Sequence, residues 1–285
     1  MRFDINEFYL PGEPTYNKAL DRLLAFVPRV KNPHNDTSRR SGGVIIELPT
    51  QDAPYVFDDY HLESADFVTL EGAGHSAAYV TSPSGVAFTI VGGPSAAWGN
   101  RLFSGIYFDE CSVLLEGRAS GHIHFKDCHF DSAPDWAIKT TADGVVGVHI
   151  ERVTFNNCNG SVGVLHKQCD NWIIRDCPLL RSAGTNPPIR TLSSGTRVLD
   201  CFFENRVSLG VQTYMQVEPS ADGLFAGGNF TACRNRFGGE QGKGPNAGFG
   251  PPPAMVTLGP DTEVAGTMSR IRLVDNDFNT PQSTY

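Results

Sequence analysis

A chain of 285 residues that is 40% hydrophobic is long enough to bury a full core, and 30 glycines and 19 prolines, with helical periodicity confined to the N-terminus, exclude an all-α fold. The formal charge of −8 argues against nucleic acid as a partner, because phosphates are bound by clustered Lys and Arg that displace counterions. No apolar run reaches the roughly 18 residues needed to span a bilayer, and Met1-Arg2-Phe3-Asp4 leads into acidic and aromatic residues, so neither membrane insertion nor a secretory leader is expected.

In chain order, residues 1–41 are expected to hold an N-terminal strand and a capping helix, and 42–285 one β-solenoid domain. From Asn17 to Arg29, Ala19, Leu20, Leu23, Leu24 and Val27 recur at helical spacing, with Pro14 and Thr15 just ahead and Pro28 as a stop. The apolar face of this helix would cover the open end of the first coil, whose core and strand edges are otherwise exposed. After a polar loop from Asn32 to Ser41, strand-like runs follow at 43–49, 67–74 and 86–93.

From residue 108 onward, seven segments share the frame apolar-x-x-(Cys/Val/Asn)-x-apolar. They run from Phe108 to Val113, Phe125 to Phe130, Ile150 to Phe155, Ile174 to Leu179, Val198 to Phe203, Ala232 to Phe237 and Leu273 to Phe278. Their central residues are Cys111, Cys128, Val153, Cys177, Cys201, Asn235 and Asn276, at steps of 17, 25, 24, 24, 34 and 41 residues. Such steps fit one coil of several short strands, with the two long ones carrying outgrown loops. The expected fold is all-β: a single-stranded right-handed parallel β-helix with Cys128, Val153, Cys177 and Cys201 in an interior column. Asn235 and Asn276 would continue that column as an amide ladder. Just before each centre stand Glu110, Asp127, Arg152, Asp176, Asp200, Arg234 and Asp275, which read as outward strand positions alternating with the inward one. The seven cysteines form no CxxC pair and are odd in number, so they read as buried thiols. The Gly/Pro-rich stretch 238–253 is a linker or a contact arm for another subunit.

Taken together, Asp4-Ile5-Asn6-Glu7-Phe8, the helix, Gly42-Gly43-Val44-Ile45-Ile46-Glu47-Leu48-Pro49 and Val68-Thr69-Leu70-Glu71-Gly72-Ala73-Gly74 resemble the N-terminal region of the pectate-lyase-like superfamily of phage tailspikes and related polysaccharide-active proteins. The resemblance covers about residues 3–93, and the repeat carries it to about 279. One departure is the segment from Tyr9 to Asn17, which only partly matches the Gly-rich, Asp-containing turn that many relatives carry before the helix. The resemblance implies a virion protein assembled in the host cytoplasm, or alternatively an extracellular one, in which the outer face of one sheet meets an extended glycan. No obvious cap helix follows Phe278, so a homotrimer, or docking to other virion proteins, is expected to cover the exposed C-terminal end.

Glycoside hydrolysis needs two carboxyls, about 5 Å apart in retaining enzymes and roughly 6.5–9.5 Å apart in inverting ones. Lyase chemistry needs a base beside a neutralised carboxylate. The catalytic candidates are Asp131, Asp135 and Lys139, whereas Asp127 and Asp176, with Arg152 between them, read as a solvated charge ladder. Trp136, between Asp135 and Lys139 in an expected turn, and Tyr107 are the candidates for sugar contact, as aromatic rings with polar tips. His149, His166, Lys167 and Asp170 form a second acid/base set. His122 and His124 share one strand face while His129 falls on the other, so no metal is expected, and no cofactor motif is present. The motifs of the polygalacturonase and alginate-epimerase branches are absent. Two functions therefore stand open. One is a phage virion protein (tail spike, receptor-binding or decoration subunit) presenting its surface to a host polysaccharide or other virion proteins. The other is a lyase or hydrolase acting on an extended, acidic glycan.

Overall fold

The computed structural model describes residues 1–31, 38–40, 43–63, 68–74, 77–92, 101–117, 120–140, 144–166, 169–193, 195–205, 213–218, 229–238, 254–258 and 271–277. The loop expected at 238–253 lies outside the described residues from 239 onward, as do Lys167 and Phe278.

Three parallel sheets build a β-solenoid, and the chain visits them in the order 1, 2, 3 once per coil. The ten-stranded sheet 1 runs through Arg2–Asp4, Val44–Leu48, Val68–Gly72, Arg101–Ser104, Ser120–Lys126, Val146–Glu151, Ile173–Arg175, Arg197–Leu199, Thr231–Cys233 and Arg272–Val274. Sheet 2 has eight strands: Tyr55–Val56, Tyr79–Thr81, Tyr107–Asp109, His129–Asp131, Thr154–Cys158, Leu179–Ser182, Phe202–Asn205 and Arg236–Gly238. Sheet 3 also has eight: Tyr60–Glu63, Val86–Val91, Ser112–Glu116, Trp136–Thr140, Gly160–Val164, Ile189–Thr191, Thr213–Val217 and Ala254–Leu258.

Alternating residues of each strand face inward, and register places like on like. Phe108, Phe130 and Phe155 pair in register on sheet 2, and their rings stack at 4.5 and 5.5 Å between centroids. Each is fully buried, and burying a ring of this size contributes about 1.5–3 kcal/mol.

The corner between sheets 1 and 2 explains the repeat. Cys128, Val153, Cys177 and Cys201 are all buried there, as the spacing predicted. The charged residue before each is not an extended strand position, however. Asp127, Arg152, Asp176, Asp200, Arg234 and Asp275 have φ between 51° and 55°, the left-handed conformation that turns the chain from one sheet to the next. Their amides stay paired, because Asp127 N–H donates to Glu151 O at 3.1 Å and Asp176 N–H to Leu199 O at 3.0 Å in the following coil. The amide ladder forms as expected. Asn235 Oδ1 accepts from Cys201 N–H at 3.0 Å, and its Nδ2 donates to Val198 O at 2.9 Å and to Asn276 Oδ1 at 3.0 Å. Asn276 Oδ1 also accepts Asn235 N–H at 3.0 Å.

Cys111 is the exception. Its frame crosses from sheet 2 to sheet 3, and the sheet 1–2 corner of that coil is filled by Gly105 (φ 64°) and the buried Ile106. Measured at one corner, the step from Ile106 to Cys128 is 22 residues and not 17. All seven cysteines are free, and only Cys233 is not buried.

The helix spans Asn17–Phe26 and ends where Pro28 forces Val27 into an extended conformation (φ −88°, ψ 112°). Ala19, Leu20, Leu23 and Leu24 are buried in the same core as Tyr55, Phe57 and Tyr60 of the first coil. Asn17 anchors the helix there, since its amide donates to Asp58 O at 2.7 Å and accepts Asp58 N–H at 3.1 Å. The motif Glu71-Gly72-Ala73-Gly74 also acquires a reason, because a Cβ on Gly72 would lie 2.2 Å from Gly105 O in the next coil. At the opposite end, Leu273 and Val274 of the last strand remain exposed.

The amide ladder gives a stability prediction. Asn235→Leu leaves the buried Cys201 N–H without its partner, whereas Val198 C=O keeps its place in the sheet 1 ladder, so the variant should lose roughly 1–3 kcal/mol in denaturant unfolding followed by circular dichroism.

Candidate functional site

The outer face of sheet 2 concentrates aromatic and acidic groups in two adjacent columns. Tyr79, Tyr107 and His129 are register partners. Tyr107 lies 4.6 Å from the Tyr79 ring and stacks on His129 at 4.5 Å, and Tyr79 is 39% exposed. One pleat further along, Asp109 pairs in register with Asp131, and Asp131 with Asn156. The columns are tied together where Tyr107 Oη donates to Asp131 Oδ2 at 2.9 Å. Asp131 Oδ1 accepts from Asn156 Nδ2 and Ser132 Oγ, each at 3.2 Å. Arg181 extends the polar column by donating to Asn156 Oδ1 at 3.2 Å while pairing with Glu204.

This packing perturbs two groups. Burial, then the neighbouring Glu110 and Asp131 charges, pushes the Asp109 carboxyl above its usual range. Burial, and the hydrogen bond given to Asp131, pushes the Tyr107 phenol up as well.

The structure thus brings together Tyr107 and Asp131 of the residues singled out from sequence. Asp135 and Lys139 form a separate ion pair at 2.5 Å at the entry to sheet 3, and Asn186 Nδ2 donates to the other Asp135 oxygen at 3.4 Å. Trp136 is not an exposed turn residue: it begins the strand Trp136–Thr140 and is 2% exposed. Its ring lies over Gly160 and Gly163 of the next coil, where a Cβ on Gly163 would come within 2.7 Å of Trp136 Cδ2. With that face covered, the Trp136 ring is buried and not presented at the surface as the sequence suggested. The residue missed by the sequence reading was Asp109, whose register with Asp131 follows from the 22-residue step.

Of the charge ladder expected at the sheet 1–2 corner, the Asp127–Arg152 rung forms, and Arg152 pairs on its other side with Glu151 instead of Asp176. Arg152 spans both oxygens of Asp127 at 2.6 and 3.0 Å, and Arg234 does the same to Asp200 at 2.7 and 2.6 Å. These pairs are solvent-exposed, so they add little stability.

Two features occupy the outer face of sheet 1. His149 joins His122 and His124 there, with burial and the neighbouring imidazoles holding His124 and His149 below the usual histidine range. Further along, a groove of about 960 Å³ is lined by Asp170, Asn171, Arg197, Asn229, Cys233 and Arg272.

No protein-family model matches the chain, and no curated protein matches it. Among solved structures it is similar to "Geobacillus virus E2 - ORF18" at 13% identity and a TM-score of 0.45, covering 96% of this chain and 60% of that one. It is also similar to the catalytic unit of a thermostable GH87 alpha-1,3-glucanase from Streptomyces thermodiastaticus strain HF3-3, at 12% identity and a TM-score of 0.24, covering 97% of this chain and 68% of that one. The chain therefore spans 60% of the length of the phage protein it matches, and likenesses this distant assign it no activity.

The Asp109 environment sets a pH dependence. Its raised carboxyl makes the folded chain hold a proton that the unfolded chain releases, so the stability from this site is full below the ordinary carboxyl range and falls as pH rises through the folded-state value. Asp109→Asn should raise the melting temperature at pH 7, with the gain shrinking toward pH 3, which thermal unfolding across that range will show.

Proposed function

We propose that this chain is a phage-type virion protein that binds a host surface polysaccharide along the outer face of sheet 2. The observation that carries the reading is the Tyr79–Tyr107–His129 column locked to the Asp109–Asp131–Asn156 column by the Tyr107–Asp131 hydrogen bond. An aromatic column with polar groups at its side suits a sugar chain, because ring faces cover C–H surfaces while carboxylates and amides accept or donate to hydroxyls. Asp131 already accepts three hydrogen bonds and Asp135 is held by Lys139, an arrangement suited to fixed recognition. The N-terminal resemblance supplies the virion context, and the exposed Leu273 and Val274 offer a surface for trimerisation or for another virion protein.

One observation favours catalysis instead. Asp109 and Asp131 stand on neighbouring strands, about 4.8 Å apart by ordinary sheet spacing, with Asp109 pushed toward its protonated form. A protonated acid beside a carboxylate is the pair of groups that a retaining glycosidase uses. In that case polysaccharide would be cleaved, and Asp109→Asn would abolish release of oligosaccharide.

Binding of the purified chain to host capsular or wall polysaccharide, followed by calorimetry, tests the proposal. Tyr107→Ala should weaken affinity by roughly tenfold, as losing an aromatic contact worth about 1.4 kcal/mol would. Arg197→Ala, in the groove of sheet 1, should leave affinity unchanged. The reverse pattern, or no binding to any host glycan, would overturn the assignment of sheet 2.

A further inference from the structure

We propose that His122, His124 and His149 form a binding site for a divalent transition-metal ion that bridges two coils on the outer face of sheet 1. Each contributes one ligand nitrogen, and these atoms lie within 4.8 Å of one another. His124 and His149 are register partners whose rings stack at 4.6 Å. Their alternation with the buried Ile123, Phe125, Val148 and Ile150 aims both imidazoles outward.

A stacked pair of this kind would be an ordinary cross-strand contact. The third imidazole is the part that stacking does not require. Between the paired positions Ser120↔Val146 and Ile123↔Val148, the strand Ser120–Lys126 carries one residue more than its neighbour. Such a bulge re-aims the side chains beside it, and His122 sits within this one. Its ring lies 6.1 Å from His124 and 6.0 Å from His149, at steep angles to both, so the three rings converge from different directions.

The donor set is also uncommitted. Among the described residues the three imidazoles contact one another and accept no hydrogen bond that occupies a ring nitrogen. Glu151, the carboxylate whose charge reaches His124 and His149, is held by Arg152 and by Arg175 at 2.6 Å. Three nitrogens without a carboxylate suit Zn²⁺, Co²⁺, Ni²⁺ or Cu²⁺ rather than Mg²⁺ or Ca²⁺. Metal–nitrogen bonds of about 2.0–2.1 Å in a tetrahedral arrangement place nitrogens about 3.3 Å apart, so the rings close by a small rotation, which exposed His122 is free to make. Three histidines leave the fourth position to solvent, as in open metal sites.

The test uses the untagged full chain, stripped with a chelator and titrated with Zn²⁺ by calorimetry and with Co²⁺ by visible absorption. One ion per chain is expected, with a Co²⁺ spectrum of low coordination number and a melting temperature raised by Zn²⁺. His122→Ala and His149→Ala should each weaken binding by well over 100-fold, beyond the roughly 10–100-fold that loss of an outer-shell partner costs. Both variants should melt like the metal-free parent. Cys233→Ser, which removes the one cysteine that is not buried, should leave binding unchanged. No stoichiometric ion, binding that survives the triple His122/His124/His149→Ala variant, or binding lost in Cys233→Ser would overturn the site.

Discussion

In-register stacking of parallel strands is the constraint on which the rest of this protein depends. It converts a sequence repeat into columns, so that each residue is judged by its equivalent one coil away as much as by its chain neighbours. The interior satisfies this with like-on-like rings, as where Phe103 stacks on Phe125 at 5.0 Å and Phe203 on Phe237 at 4.9 Å. The corners satisfy it through hydrogen bonding. A left-handed residue swings the chain between sheets while its amide reaches the next coil, and where the following amide would be stranded, an asparagine from the next coil accepts it.

The same constraint builds the surface. Columns that face outward gather chemistry from residues more than twenty positions apart, which is how Tyr107 meets Asp131 and His124 meets His149. Because the backbone of a parallel sheet is already satisfied, such columns are rigid and cost little further entropy when a ligand binds. Sheet 2 offers rings beside carboxylates, sheet 1 offers imidazoles and then arginines, and sheet 3 is crossed by a tryptophan lying on glycines. Three faces of one solenoid therefore carry different side-chain chemistry on the same core.

Much of the architecture was legible because inward positions must be small or apolar: the Cys/Val/Asn frame, its steps of 24 and 25 residues, and the capping helix all follow from that demand. The corner conformation was not legible, since a charged residue next to an inward one fits an extended strand as well as a left-handed turn. Trp136 was misread because what buries it, Gly160 and Gly163, lies a coil away and leaves no mark near residue 136. The Asp109–Asp131 pair was hidden by counting Cys111 as a sheet 1–2 corner, which gave a step of 17 and misaligned that coil. The third histidine was within reach: the 25-residue step that links Cys128 to Val153 also links His124 to His149, but the histidines were compared along one strand instead of across coils.

Both the fold and its outer columns depend on register, and cross-linking measures register directly. His129→Cys with Thr154→Cys places two thiols on neighbouring strands of sheet 2, within the Cα separation of about 4.4–6.8 Å that a disulfide tolerates. His129→Cys with Leu179→Cys places them two coils apart, about 9.6 Å by ordinary strand spacing. Mild oxidation followed by peptide mass spectrometry should find the first disulfide and not the second. Efficient formation of the second, or failure of the first in a folded chain, would contradict the coil assignment and with it both proposed surfaces.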